Sequence, residues 1–340
     1  MSKTVLRVGC IGCGERARIY CDGAKDLPEI ELLAFCDVRL ESADLFKLNY
    51  SGKYATSDAN KLLNDEEIDA VIICTWHDSH MDLAVSAAQH GKHILIEKPL
   101  ALTIAECWQI EEAVEKAGVT TTVGFKMRYM PIVRRVQELV PNPIMLMGQM
   151  LNDRIPDNSW SLQPRIGGGN VLSGACHTAD LLCFLAGSDP IEVFGIGGNA
   201  IHRTPDMTDY VMAVVKFANG AVANLVQGDA GRNPYTSTFF CEVMGLSKGA
   251  CMHDRFHRAT LWGCDQAQLG ISDLNAEERK DVEGDVALLQ DFAKSALAGI
   301  PSRAPVRTGR IATTVARKLL DSVRVGMPQQ IEADWRSNYG

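Results

Sequence analysis

In the first third of the chain, apolar positions fall in short continuous runs. Each run is followed by a stretch whose apolar residues recur every three or four positions. Runs rich in Val, Ile and Leu predict strands buried on both faces, and the spaced pattern predicts the helices that cover them. Strands are expected over 4–10, 31–36, near Tyr54, and over 70–74, 93–96 and 120–124. Helices are expected from the glycine turn to Ala24, near 40–48 and 58–63, and up to about His90. A further helix begins at Thr103, where Glu106 completes a capping box and Cys107, Ile110, Ala113, Val114 and Ala117 form an apolar stripe. Repeated strand–helix units of this kind build a doubly wound parallel sheet.

The pattern changes after Gly124. A helix is expected near 132–139, then strands over 144–152, 191–200, 210–217, 221–227, 238–244 and 250–252. Asn219-Gly220 marks a hairpin turn. One long helix, 170–185, interrupts the strands after Gly167-Gly168-Gly169, and helices return at 286–297 and 310–325. The fold class expected is therefore α/β: a doubly wound N-terminal domain followed by an α+β domain with a mostly antiparallel sheet. A single core stops growing near ~250–300 residues, so a chain of 340 residues divides. The boundaries expected are 1–125 for a dinucleotide-binding domain, 126–300 for a substrate and oligomerisation domain, and 301–340 for a helical segment packing back on the first domain.

Net charge is −8 with no basic block, which argues against nucleic acid and anionic membrane surfaces. No stretch approaches the ~20 apolar residues that span a bilayer, and the first residues carry no signal-peptide pattern. The cysteines number eleven and are scattered through expected strands and helices, as in a reduced, cytoplasmic protein. Cys10 and Cys13 form a C-x-x-C without a second pair, and no metal site is expected.

The first strand leads into Gly12-Cys13-Gly14-Glu15-Arg16-Ala17, a G-x-G-x-x-A opening a helix. The glycines permit a tight turn and close approach of a pyrophosphate, the alanine permits close helix–strand packing, and the helix N-terminus faces the phosphates. Asp37 ends the second strand about 20 residues on, where a carboxylate accepts hydrogen bonds from ribose hydroxyls and repels a 2′-phosphate. NAD is thus favoured over NADP, although Arg39 could pair with a phosphate or stack on adenine. The strand over 93–96 stops at Glu97-Lys98-Pro99, placing a lysine at the mouth of the sheet, where ligands bind. On the helix over 170–185, Ser173, His177 and Asp180 are spaced i, i+4 and i+7 and share a face.

Taken together, G-x-G-x-x-A at 12–17, Asp37, His80 at a helix start, Glu97-Lys98-Pro99, G-F-x-x-R ending at Arg128, and the triple glycine followed by His177 and Asp180 make the chain resemble the Gfo/Idh/MocA family of oxidoreductases. The resemblance covers nearly the whole chain. It implies a Rossmann domain plus an open-faced, mostly antiparallel sheet domain, with assembly into homodimers or homotetramers through the open face. It also implies an NAD(P)-dependent dehydrogenase acting on a sugar, polyol or cyclitol carbinol. Cofactor contacts would come from Gly12, Gly14, Glu15, Arg16, Ala17, Asp37, Arg39, Thr75, Trp76, His80, Glu97, Lys98 and Arg128. Lys98 would hydrogen-bond the reacting oxygen and His177 would exchange its proton, with Asp180 in the relay.

The chain departs from the family at two positions. Ser173 stands where many inositol-dehydrogenase-like members carry an aspartate, and Trp76 stands where a proline is usual. A substrate wall is expected from Asp153, Arg154, Ile155, Pro156, Asp157 and Trp160 with Arg165, Arg232 and Tyr235, besides Lys98, Ser173 and His177. Polar groups interleaved with rings suit a sugar. Two alternatives stay open: a glycoside hydrolase using NAD for transient oxidation, and a non-catalytic dinucleotide sensor.

Overall fold

The structure is a computed structural model that describes residues 4–202, 204, 207–232 and 235–332. The chain forms two compact units, Met1–Lys126 with Gly284–Arg310, and Met127–Glu283 with Ile311–Gly340.

In the first unit β1 (Leu6–Ile11), α1 (Glu15–Ala24), β2 (Ile30–Cys36), α2 (Leu40–Asn49), β3 (Tyr54–Thr56), α3 (Ala59–Leu63), β4 (Ala70–Ile73), α4 (His80–Gln89), β5 (His93–Ile96), α5 (Ile104–Ala117) and β6 (Thr121–Val123) alternate. The strands lie in the order β3-β2-β1-β4-β5-β6, and every neighbouring pair is parallel. Every residue of β4 is buried, as are Ile94, Leu95 and Ile96 of β5, as the unbroken apolar runs require. The order reverses at β1/β4, the switch point where this architecture binds ligands at the carboxyl ends of its strands. The capping box at α5 forms as expected, with Thr103 accepting from the Glu106 N–H and Glu106 from the Thr103 N–H.

The second unit opens with α6 (Pro131–Leu139), then β7 (Met145–Leu151), α7 (Asn170–Ala186), β8 (Pro190–Gly198), β9 (Tyr210–Phe217), β10 (Val222–Gly228), β11 (Phe239–Met244), β12 (Gly249–His253), β13 (Arg258–Trp262), β14 (Gln268–Gly270) and α8 (Ala276–Lys280). The remaining elements are α9 (Asp285–Ala298), α10 (Val306–Val325) and β15 (Gln329–Gln330). The second sheet runs β14-β13-β12-β11-β7-β10-β9-β8-β15 and is antiparallel except for β7 with β10. Along β9 burial alternates strictly: Val211, Ala213, Val215 and Phe217 face inward, while Tyr210, Met212 and Val214 lie outward. The inner face is covered by α7 and α10.

The expected boundaries differ from these units in two places. Helix α9 was assigned by position to the second domain, but it belongs to the first unit, where Val286 and Leu289 fit against α1 at the spot left bare by Gly23. The segment over 301–340 was expected to pack back on the first domain, but the division falls at Arg310/Ile311, inside α10. Beyond that point α10 covers β8: Leu319 sits over Gly195, where a Cβ would approach it to 2.2 Å, and the Ser322 Oγ accepts from the Gly195 N–H at 3.0 Å. Sequence periodicity did not reveal β13, β14, β15 or α8. All are short, of two to five residues.

In the first unit, Arg310 is 3% exposed, pairs with buried Glu111, and stacks over Trp108 with its guanidinium carbon 3.7 Å from the ring centroid. Removing one partner strands a buried charge. Arg310→Ala is therefore expected to cost about 3–5 kcal/mol in denaturant unfolding. Replacing both partners by apolar residues of similar volume should recover much of that loss. A single variant as stable as the parent would show that the pair carries no such charge.

Candidate active site

The glycine turn follows directly from β1. Gly12 has φ +90°, and a Cβ there would lie 2.6 Å from the Cys74 carbonyl oxygen, so only glycine lets the chain turn this close to the end of β4. Gly14 precedes α1 and has open space where a Cβ would stand. That bare backbone at a ten-residue helix N-terminus fits close approach of a pyrophosphate. Glu15 is exposed at the first helical position, and Ala17 is fully buried, as close helix–strand packing requires.

Asp37 leaves the end of β2 with its carboxylate turned into the turn. It accepts from the Cys13 N–H at 2.8 Å and from the Arg39 N–H at 2.9 Å. An ionised carboxylate offers about four acceptor positions, so two stay available for ribose hydroxyls. The Arg39 guanidinium lies 4.0 Å from Asp37, and its side chain is 75% exposed.

Glu97, at the end of β5, is buried, and its carboxylate accepts from Arg16 and from the Tyr20 hydroxyl at 2.6 Å. Its other oxygen accepts from the Lys98 backbone N–H at 3.1 Å. Arg16 continues to Asp285 at 2.7 Å, which also pairs with Lys126 at 3.4 Å. Gly124 makes room: a Cβ there would stand 2.6 Å from the Glu97 carboxylate and 2.9 Å from the Tyr20 hydroxyl. Burial pushes the Glu97 carboxyl up, but the Arg16 and Lys98 charges and the bonds from Tyr20 and Arg16 outweigh it and hold it down at about 2. The Glu97 carboxylate thus faces protein groups and fixes the strand end. Arg16, expected beside the cofactor, is bound to Glu97, Tyr20 and Asp285. Lys98 is half-buried at the carboxyl end of β5 and precedes a cis Pro99.

The loop after β4 carries Thr75, whose hydroxyl accepts from Ser79 at 2.7 Å, and Trp76, which is 52% exposed. His80 was expected at the cofactor but has no exposed surface. Its Nδ1 meets the Pro99 carbonyl at 2.9 Å and its Nε2 the Thr75 carbonyl at 3.3 Å, so it ties two strand-end loops together instead of meeting a ligand. Burial pushes its pKa down against the opposing pull of the Pro99 and Thr75 carbonyls.

In the second unit Ser173 and His177 lie half-buried on one stripe of α7. Asp180 does not share that exposure. It is 1% exposed and bound by the Arg128 fork through contacts of 2.7–2.9 Å, and burial pushes its pKa up against the pull of Arg128. The expected catalytic role of Asp180 and cofactor role of Arg128 give way to an anchoring pair, with Arg128 also lying over the Phe184 ring. The glycine run before α7 is a close backbone approach: a Cβ at Gly167 would lie 2.3 Å from the Ser161 Cα.

Arg154 and Asp157 are both exposed and pair at 2.6 Å; Trp160 is half-buried at the start of a short 3₁₀ turn. Asp153, Pro156, Arg165 and Arg232 are exposed, Ile155 is half-buried, and Tyr235 is 91% exposed. Sequence reasoning missed the buried groups beneath this wall. Asp157 meets His202 at 3.2 Å, and His202 meets buried Asp229 at 2.8 Å. Asp285, which completes the Arg16 cluster, was also missed. Gly124 of G-F-x-x-R makes room for Glu97 and Tyr20, but no motif marked Asp285, His202 or Asp229. Among the described residues no group of His, Cys, Asp and Glu could hold a metal ion, and no helix is long and apolar enough to cross a membrane.

A glycine turn at the switch point, a carboxylate at the end of β2 and a strand-end lysine fit an NAD-binding Rossmann oxidoreductase. Residues 6–125 match the family model described as "Oxidoreductase family, NAD-binding Rossmann fold", and residues 141–250 match the "GFO/IDH/MocA C-terminal domain". The chain belongs to the Gfo/Idh/MocA family. It is 27% identical over 331 residues to the myo-inositol 2-dehydrogenase of Thermotoga maritima, covering 94% of this chain and 97% of that one. It is 29% identical over 273 residues to the levoglucosan dehydrogenase of Pseudarthrobacter phenanthrenivorans, covering 68% and 70%. The structure of a levoglucosan dehydrogenase in complex with NADH and levoglucosan superposes with a TM-score of 0.86 at 22% identity, over 96% of this chain and 99% of that one, which shows the shared fold.

The low Glu97 value has a consequence for acid stability. The carboxyl lies near 4.5 unfolded and about 2 folded, so its contribution is complete above pH 4.5 and is lost as pH falls from 4.5 towards 2. Glu97→Gln should remove of order 3 kcal/mol at neutral pH and flatten the stability profile below pH 4.5. Parallel profiles for parent and variant in urea titrations would assign the acid limb to other groups.

Proposed function

We propose that the protein is an NAD-dependent dehydrogenase acting on an uncharged sugar, polyol or cyclitol alcohol. The observation that carries this reading is Lys98, set at the carboxyl end of β5 by a buried carboxylate, in the same unit as the Gly12 turn and Asp37. NAD, held along the glycine turn with its ribose hydroxyls on Asp37, supplies a hydride acceptor when bound. The Lys98 ammonium hydrogen-bonds the substrate oxygen and stabilises the charge that develops there. The His177 ring takes the proton from that oxygen as general base. Asp180 is engaged by Arg128, and Ser173 offers a neutral hydroxyl one turn away from the imidazole. Asp157 already compensates the Arg154 charge, so that part of the wall favours a neutral polyol over an acid or a phosphate ester. The names of the inositol and levoglucosan dehydrogenases among its relatives support the same class.

The test is NADH formation across a panel of sugars, inositols and anhydrosugars, with NADP in parallel. NAD should be used in preference to NADP. Lys98→Ala should keep NADH binding and lose about 10²–10⁴-fold in kcat. A Lys98→Ala enzyme with parental turnover would remove this lysine from the chemistry.

We further infer that the outward face of the second sheet covers a second copy of the chain. Met145, Met147, Ile196, Met212, Val214 and Val222 are all exposed there, a continuous apolar patch of the kind that marks an interface. Met212→Asp with Val214→Lys should lower the mass seen by light scattering to that of the monomer. A parent that is already monomeric, or a variant of unchanged mass, would reject this interface.

A further inference from the structure

Beneath the exposed Arg154–Asp157 pair lies a hydrogen-bonded chain of buried groups that no motif announces. Its centre is His202, whose side chain is 0% exposed. One ring nitrogen, Nε2, meets the Asp229 carboxylate at 2.8 Å, and Asp229 is likewise 0% exposed. The other, Nδ1, meets Asp157 at 3.2 Å. Both partners are carboxylates, which only accept when ionised, so each bond requires the ring to donate, and a doubly protonated ring satisfies both.

The backbone around His202 is fixed as well. Asp209, fully buried, accepts from the N–H groups of Ala200, Ile201 and His202 at 2.7–3.1 Å. Its own carbonyl accepts from the Asn170 side chain at 2.9 Å, and Asn170 is the first residue of α7, the helix that presents Ser173 and His177. Asp229 also receives Asn152 at 3.5 Å, at the root of the loop that carries the wall. Arg154 closes the circuit through the Ile201 carbonyl at 3.4 Å. A rigid path thus runs from the start of α7 through Asp209 and His202 to Asp157, while Asp157 itself is 60% exposed.

We propose that His202 is a positioning residue for the substrate, setting Asp157, and through it Arg154, at a fixed place relative to the histidine-bearing helix. This rests on the reading of the loop over 153–160 as part of a polyol site. His202 touches no substrate; it acts by holding a surface carboxylate that would otherwise sample many rotamers, and so lowers the ordering cost of binding.

Two amide substitutions separate the bonds. The Gln amide nitrogen reaches the place of Nε2, so His202→Gln keeps the buried bond to Asp229 and cuts the tie to Asp157. The Asn amide nitrogen mimics Nδ1, so His202→Asn keeps the tie and leaves Asp229 short of a donor. His202→Gln should raise KM for the best polyol at least about 10-fold, leave kcat within about 3-fold, and leave NADH binding as in the parent. Asp157→Ala should raise KM comparably, and the double variant should be no worse than either single one. His202→Asn should return KM towards the parental value while lowering Tm. A parental KM in His202→Gln, additive effects in the double variant, or a loss of kcat and NADH affinity in step with Tm would overturn the proposal. Hydrogen exchange of the amides over 153–160 gives a readout that needs no turnover. It should quicken in His202→Gln with α7 unchanged, and equal exchange would also reject the tie. A parent that turns over no polyol but shows the exchange difference would remove the substrate reading and leave the tie standing.

Discussion

Burying a carboxylate at the end of a parallel strand is costly unless cations and donors surround it, and Glu97 meets that condition in one place only. Arg16 reaches it from the first turn of α1, Tyr20 from one turn further, and the Lys98 N–H from the same strand end. Gly124 must stay bare for the carboxylate to fit. The glycine turn after β1 and the lysine after β5 are therefore not independent features, because one charge cluster fixes the helix that follows the first and the backbone that carries the second. Asp285 and Lys126 extend the cluster into α9, which explains why a helix so late in the chain belongs to the first unit.

The second unit uses buried charge in the same way. Arg128 and Asp180 pin the turn before α6 to the middle of α7, and Asp209 gathers three backbone amides around the segment that bears His202. Replacing a buried pair by apolar side chains is often neutral or favourable for stability, so its distinctive return is geometric. Half-buried Ser173 and His177 and exposed Arg154 and Asp157 stand on supports made from groups that have almost no contact with solvent.

The alternation of apolar runs and helical stripes was enough to place all six parallel strands and the helices between them, because strands buried on both faces leave little freedom in composition. The G-x-G-x-x-A turn, Asp37 and Lys98 were legible for a related reason: each marks a backbone requirement or a strand end. Partners distant in sequence were not legible. His80 reads as a ligand residue until the Pro99 and Thr75 carbonyls are seen on its two nitrogens. Asp180 reads as a relay carboxylate until Arg128, 52 residues earlier, is seen bound to it. His202 carried no pattern at all, since its partners Asp157 and Asp229 come from two other loops. Spacing along a helix tells which side chains share a face but not which of them another segment covers.

The nine-stranded sheet ends at one side in β14, three residues long, and at the other in β15, two residues long. A long bare strand edge is a template on which foreign chains can add. Here the outermost strands are stubs, and β15 pairs with β8 only at Glu192 and Val193. Lateral growth of the sheet into a fibre is thereby discouraged at the β14 margin, where the outermost strand is three residues long.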